Sequence, residues 1–146
     1  MKTKNYFRAI LVALLIGVMG GVSVQAADVV ILKTTKSEIK INAYFSGSGS
    51  ITANGVAIAA NNTEVWETVP VIGGTVTIST SGSKCMLRLD VKGQGLTSLN
   101  ILKGSDLYIL NCYDNNLTEL DVSKFSKLET LYCSKNKLTS LNVTKN

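Results

Sequence analysis

Leu128-Glu-Thr-Leu131-Tyr-Cys133-Ser-Lys-Asn136-Lys-Leu138-Thr-Ser-Leu141-Asn-Val143 has a counterpart twenty-one residues upstream, with its key positions in register. There the chain runs through Leu107, Leu110, Cys112, Asn115, Leu117, Leu120 and Val122. A weaker copy starts at Met86 and passes through Leu89, Val91, Gln94, Leu96, Leu99 and Ile101. A unit this short cannot bury its own apolar side. Successive units must therefore stack, so that each covers the next.

The spacing L-x-x-L-x-L/C-x-x-N-x-L is a leucine-rich-repeat signature. It predicts one short strand per coil, with strands of successive coils pairing in parallel at about 4.8 Å. Leu89, Leu110 and Leu131 then form one buried column, and Val91, Cys112 and Cys133 the next. Leu96/Leu117/Leu138, Leu99/Leu120/Leu141 and Ile101/Val122/Val143 fill the far side. Asn115 and Asn136, with Gln94 as a weaker stand-in, fall where the chain leaves the strand. A side-chain amide there can satisfy backbone groups stranded by the turn, so these positions are structural. Phe125 has only Gly104 at its equivalent position, which makes that corner irregular.

Ahead of the repeats, residues 27–82 alternate with a period near two. Val29–Leu32, Ile39–Phe45, Ile51–Ala53, Val56–Ile58, Val65–Val69 and Val76–Ile78 are short runs rich in Val, Ile and Thr. Gly, Ser and Asn clusters separate them, as expected for strands and turns. Asn54-Gly55 between two such runs is the clearest hairpin signal. The expected fold class is mainly β: a small antiparallel β-domain and N-terminal cap at 27–82, then a short leucine-rich-repeat solenoid with a parallel sheet at 83–146. The Thr75–Thr80 strand leads into the first coil and is expected to extend its sheet. At the other end nothing resembles the polar capping unit that solenoids require. The array therefore reads as incomplete at its C-terminal end, with self-association through the uncapped coil as one consequence.

Residues 1–26 have the layout of a secretory signal peptide. Lys2, Lys4 and Arg8 precede an apolar run from Ala9 to Met19, and Val24-Gln25-Ala26 offers a small-residue cleavage site. The apolar run is shorter than the ~20 residues of a membrane span, so no span is expected after cleavage. Removing this segment leaves twelve basic and ten acidic residues, so the net charge of +5 falls to +2. No basic stripe remains, and nucleic acid is not an expected partner. The expected destination is the periplasm, the cell surface or the extracellular space.

The run from Leu128 to Val143 resembles the cysteine-bearing, twenty-one-residue leucine-rich repeats of exported bacterial proteins, the internalin J-like and Bacteroides-type surface proteins. The resemblance covers about Met86 to Asn146. It implies a ladder of free thiols inside the solenoid at Cys112 and Cys133, interrupted by Val91, and a role in adhesion or interaction. The chain departs from that family in its few repeats and in showing no wall-anchoring motif or C-terminal sorting module. Read from the residues alone, Cys112 and Cys133 could also form a disulfide between neighbouring coils, although buried free cysteine is the plainer reading.

Residues alternating with the buried columns face outward. Arg88, Asp90, Asn111, Tyr113, Asp114, Tyr132 and Lys135 are the candidate ligand-binding residues on this sheet face. Tyrosine offers a large, stiff contact with a hydrogen-bonding tip, which suits a protein or a glycan. The plainer alternative is a solvated face whose tyrosines brace their neighbours. Catalysis is not expected: the chain has no histidine, and no nucleophile has a base beside it. Asp121 shares a column with Asn100 and Asn142 and reads as a turn position. Three cysteines without histidine cannot complete a four-ligand zinc site; neither metal nor cofactor is expected. The functional reading is an exported binding or adhesion module. The alternatives are an assembly module docking through the last coil, or an inactive fragment of a longer repeat protein.

Overall fold

In the computed structural model the described residues are 28–47, 49–58, 66–81, 85–103, 106–144 and 146. The signal-peptide segment and Gly104 lie outside them. The described residues are mainly strand, with no helix among them.

Strict alternation builds the N-terminal strands. In β1 (Val29–Thr34) Val30 and Leu32 are buried, and in β2 (Glu38–Ser46) Ile39, Ile41, Ala43 and Phe45 are buried. Then follow β3 (Ile51–Ala53), β4 (Val56–Ala57), β5 (Glu67–Pro70) and β6 (Thr75–Thr80). The Asn54-Gly55 hairpin joins β3 to β4, with φ of 49° and 81° at its two turn residues. Positive φ at both positions makes it a type I′ turn, matched to the twist of the flanking strands. Asn54 also donates its amide to Pro70 O and Thr75 O and accepts from Thr77 N–H, pinning the turn to β6.

The repeat region supplies β7 (Cys85–Asp90), β8 (Leu96–Lys103), β9 (Ile109–Asn111), β10 (Glu119–Asp121), β11 (Thr130–Tyr132) and β12 (Ser140–Asn142). β7, β9 and β11 pair in parallel, with Leu89 beside Leu110 and Leu110 beside Leu131. The ladder therefore advances by the twenty-one residues of the sequence period. On the far side β10 pairs in parallel with β12, Leu120 beside Leu141.

The change of period near residue 82 is a change of pairing rather than of sheet. β2 runs antiparallel to β7, and β1 runs antiparallel to β8. One five-stranded sheet has the order β4-β3-β6-β1-β8 and the other β11-β9-β7-β2-β5. Inward residues of both halves join one core, from Val30 and Ile41 through Leu89 and Leu110 to Val122 and Phe125. The strands that cover the first coil are thus β1 and β2. The expected extension by β6 is corrected: β6 lies one strand further out, between β1 and β3. Lys36 ties the two halves together, its ammonium reaching Gly93 O at 2.8 Å.

A candidate binding face on the second sheet

The turn after each parallel strand holds the sheet face in place. Asn115 is buried, and its Oδ1 accepts Gln94 N–H at 3.1 Å and Leu96 N–H at 2.9 Å. Its Nδ2 donates to Val91 O, Cys112 O and Tyr113 O. Asn136 repeats the arrangement one coil later, accepting Leu117 N–H and donating to Cys112 O, Cys133 O and Ser134 O. These amides close each coil onto the one before it. Gln94, one methylene longer, does something different: its Oε1 accepts Lys40 N–H at 2.8 Å. It ties the first coil to β2, which has no asparagine in that role.

Each turn also needs one left-handed residue. Gly93, Asp114 and Lys135 occupy it at φ of 67°, 58° and 54°. Asp114 and Lys135 are therefore fixed by backbone geometry as well as exposed, and the latter's ammonium lies 5.2 Å from the Tyr113 ring centroid. Hydrogen bonding to the Tyr113 hydroxyl, then the charge interaction with it, raises the Lys135 pKa.

Across the sheet the register sets Asn42, Asp90, Asn111 and Tyr132 in one row. Asp90 is only 3% exposed. Its carboxylate accepts from Asn111 Nδ2 and Lys92 N–H and lies 3.5 Å from the Arg88 guanidinium. Asp90 thus braces the face instead of meeting a ligand directly. Arg88 is half-buried, and its Nε has no hydrogen-bond partner among the described residues. Asn111 is half-buried too, its Oδ1 taken by Tyr113 N–H. Tyr132 is the open member of the row, 55% exposed.

The antiparallel strands add residues that the repeat pattern alone did not reach. Continuing the β2–β5 register by one residue brings Trp66 beside Asn42, and Lys92 lies 5.5 Å from the Trp66 ring centroid. Tyr44 pairs with Arg88 in the next row. The signal for these positions was present: Lys40, Asn42 and Tyr44 alternate with the buried Ile39, Ile41, Ala43 and Phe45. What the alternation did not disclose was that β2 would lie against β7. The result is a face carrying Trp66, Tyr113 and Tyr132 among cations and amides. Lys over an aromatic face is an attractive contact that leaves the ring edges free.

The cysteines do not form a site. All three are free thiols. Cys112 is buried, and loss of solvent, followed by the nearby Cys133, pushes its pKa up to about 12. Cys85, Asp106 and Lys127 stand at one repeat position in successive coils, and Lys127 donates to the Asp106 carboxylate. Burial and then the hydrogen bond to Asp106 raise the Cys85 pKa, so the carboxylate holds a thiol and does not activate a thiolate. Asp121 accepts from both the backbone and the hydroxyl of Ser123, and Asn142 does the same for Thr144. Both are the last residues of their strands, β10 and β12, and their side chains hold the turn that follows. Among the described residues no group of three or more His, Cys, Asp or Glu side chains could hold a metal ion, and no helix is long and apolar enough to cross a membrane. Compared with protein-family models, curated proteins and solved structures, the chain gives no match.

Proposed function

We propose that the chain is an exported leucine-rich-repeat binding module that holds a protein or a glycan on the outward face of its second sheet. The repeat reading is supported by the twenty-one-residue parallel registers and by the asparagine amides that close successive coils. Export is supported by the signal-peptide layout of residues 1–26. The observation that carries the binding reading is the set of aromatic side chains on one face. Trp66 and Tyr113 each lie beside a lysine ammonium, and Tyr132 stands open on β11, at the opposite end of the row from Trp66. Aromatic rings supply contact area at little entropic cost, and Asn111, Lys92 and Lys135 supply the hydrogen-bond donors around them.

Screening the purified chain on an array of immobilised glycans and proteins, beside a Trp66→Ala/Tyr113→Ala/Tyr132→Ala variant, tests this reading. The expected result is binding that the variant loses while its far-ultraviolet circular dichroism is unchanged. Binding that survives all three substitutions would place the site elsewhere.

A further inference from the structure

On the far side of the stack the parallel ladder is interrupted between the first two coils. Coils two and three are joined there by β10 and β12, and by Thr139 N–H donating to Thr118 O at 2.9 Å. Coils one and two share the entry to such a ladder, where Asn116 N–H donates to Leu96 O at 2.8 Å. Beyond that bond they separate: β8 pairs with β1, and β10 pairs with β12 but not with β8.

One residue accounts for the separation. Ser123 and Thr144 close turns onto Asp121 and Asn142, ending β10 and β12 after three residues each. The first coil carries Leu102 at this position, and leucine has no hydroxyl to donate. Its strand runs on through Leu102 to Lys103, eight residues in all, in register with β1. Following β1 carries β8 away from β10.

A recess of about 430 Å³ results, a size that suits a small ligand. Ser98, Asn100, Glu119, Asp121, Lys124 and Asn142 line it. Among the described residues Asn100, Glu119 and Lys124 make no side-chain hydrogen bond, and Asp121 accepts from Ser123 through Oδ1 alone. The Ser123 hydroxyl and backbone N–H hold the Asp121 carboxyl below the usual carboxylate range, so it is an ionised acceptor at neutral pH.

The lining selects among ligands. An anion would meet two carboxylates. A metal ion would find no group of three acidic, cysteine or histidine side chains among the described residues. An extended peptide could not pair along the recess, because the bond from Asn116 to Leu96 closes one end of it. What the walls offer is carboxylate acceptors interleaved with amide and ammonium donors. Neighbouring sugar hydroxyls each donate and accept, and so meet both kinds of group at once.

We propose that this recess is a second binding site, which takes one or two rings of a neutral saccharide. Glu119 and Asp121 accept from its hydroxyls, and Asn100 and Lys124 donate to them. The site lies across the shared core from Trp66, Tyr113 and Tyr132, and does not depend on the aromatic face.

The repeat itself supplies a variant for the test. Glu119→Ser/Asp121→Asn gives the second coil the residues that Ser98 and Asn100, and Ser140 and Asn142, supply in its neighbours. Asn142 shows that asparagine still closes the turn, so the fold persists while both carboxylates go. The purified chain, isotope-labelled, is titrated with maltose, cellobiose and mannobiose and followed by heteronuclear NMR. At least one sugar is expected to shift the side-chain amides of Asn100 and Asn142 and the backbone amides of residues 98–101, with the Trp66 indole unmoved. The variant should bind it about tenfold more weakly or worse, as for lost hydrogen bonds to charged groups. No shift with any of the three sugars, shifts centred on Trp66 or elsewhere, or a variant with wild-type affinity would each overturn the inference.

Discussion

Asn115 and Asn136, one repeat apart, converge on a single acceptor: each donates its side-chain amide to Cys112 O at 2.9 Å. One carbonyl is thereby shared by two coils, its own and the next. Both of its lone pairs are used, where no helix among the described residues supplies backbone bonding. The strands are only three residues long, so these amides, with the parallel ladder, set how one coil sits on another.

Replacing them should have unequal effects. Asn115 is buried, and Asn115→Ala leaves Gln94 N–H, Leu96 N–H and Val91 O without their partner. Unsatisfied buried groups cost about 1–3 kcal/mol each, partly relieved where water enters, so a loss of about 3 kcal/mol is expected. Asn136 is half-exposed, and Asn136→Ala should cost about 1 kcal/mol. Urea unfolding of both variants checks this. Equal midpoints would mean that the shared acceptor, and not burial, decides the cost.

The left-handed column gives a second prediction. Gly93 has open space where a Cβ would sit, so Gly93→Ala meets no clash and reports the backbone alone. A left-handed residue with a side chain costs about 1 kcal/mol, and that loss is expected. Gly93→Asn should lose less, because asparagine tolerates the conformation. Lys135→Gly, at φ of 54°, should recover a few tenths to about 1 kcal/mol. Thermal unfolding ranks the three. Alanine equal to asparagine at position 93 would remove the conformational explanation.

Much of this arrangement was legible in the residues. Period two marked Ile39, Ile41 and Phe45, and the Asn54-Gly55 pair marked its hairpin, because both signals arise within a few residues. The twenty-one-residue repeat placed Leu110 beside Leu131 for the same reason, since a repeat specifies its own neighbour. Pairing between the two kinds of segment was not legible. Nothing local in Asn42 announces Asp90 as its cross-strand partner, or in Val30 announces Ile101. That is why Trp66 and Tyr44 joined the candidate face only in three dimensions. It is also why Asp90, expected outward, proves buried under its own hydrogen bonds.

The face makes a graded prediction. Tyr132 is open and Tyr113 half-buried beside Lys135. Tyr132→Ala should weaken ligand binding about tenfold, as expected for an aromatic anchor, and leave stability within about 0.5 kcal/mol. Asp90→Ala should do the reverse, destabilising the sheet by removing the acceptor for Asn111 and Lys92. Parallel titration and urea unfolding of both variants separate the roles. A Tyr132 variant that unfolds more readily than the Asp90 variant would exchange them.

The buried thiol makes the stability depend on alkaline pH. Burial raises Cys112 from 9.0 to about 12, so the folded state holds the proton more tightly than the unfolded chain. The associated stability is fully present below pH 9. It is lost as pH rises from 9 towards 12, at up to about 1.4 kcal/mol per unit. Between pH 8 and 10.5 the wild type should therefore lose about 2 kcal/mol through this group. Cys112→Val places at this position the residue that Val91 already supplies one coil earlier, and the same pH change should cost it correspondingly less. Alkylation should tell the same story: Cys112 stays unlabelled at pH 8.5 in the folded chain and reacts once urea unfolds it. Equal alkaline slopes for wild type and valine variant would show that the thiol at the centre of the stack is reached by solvent after all.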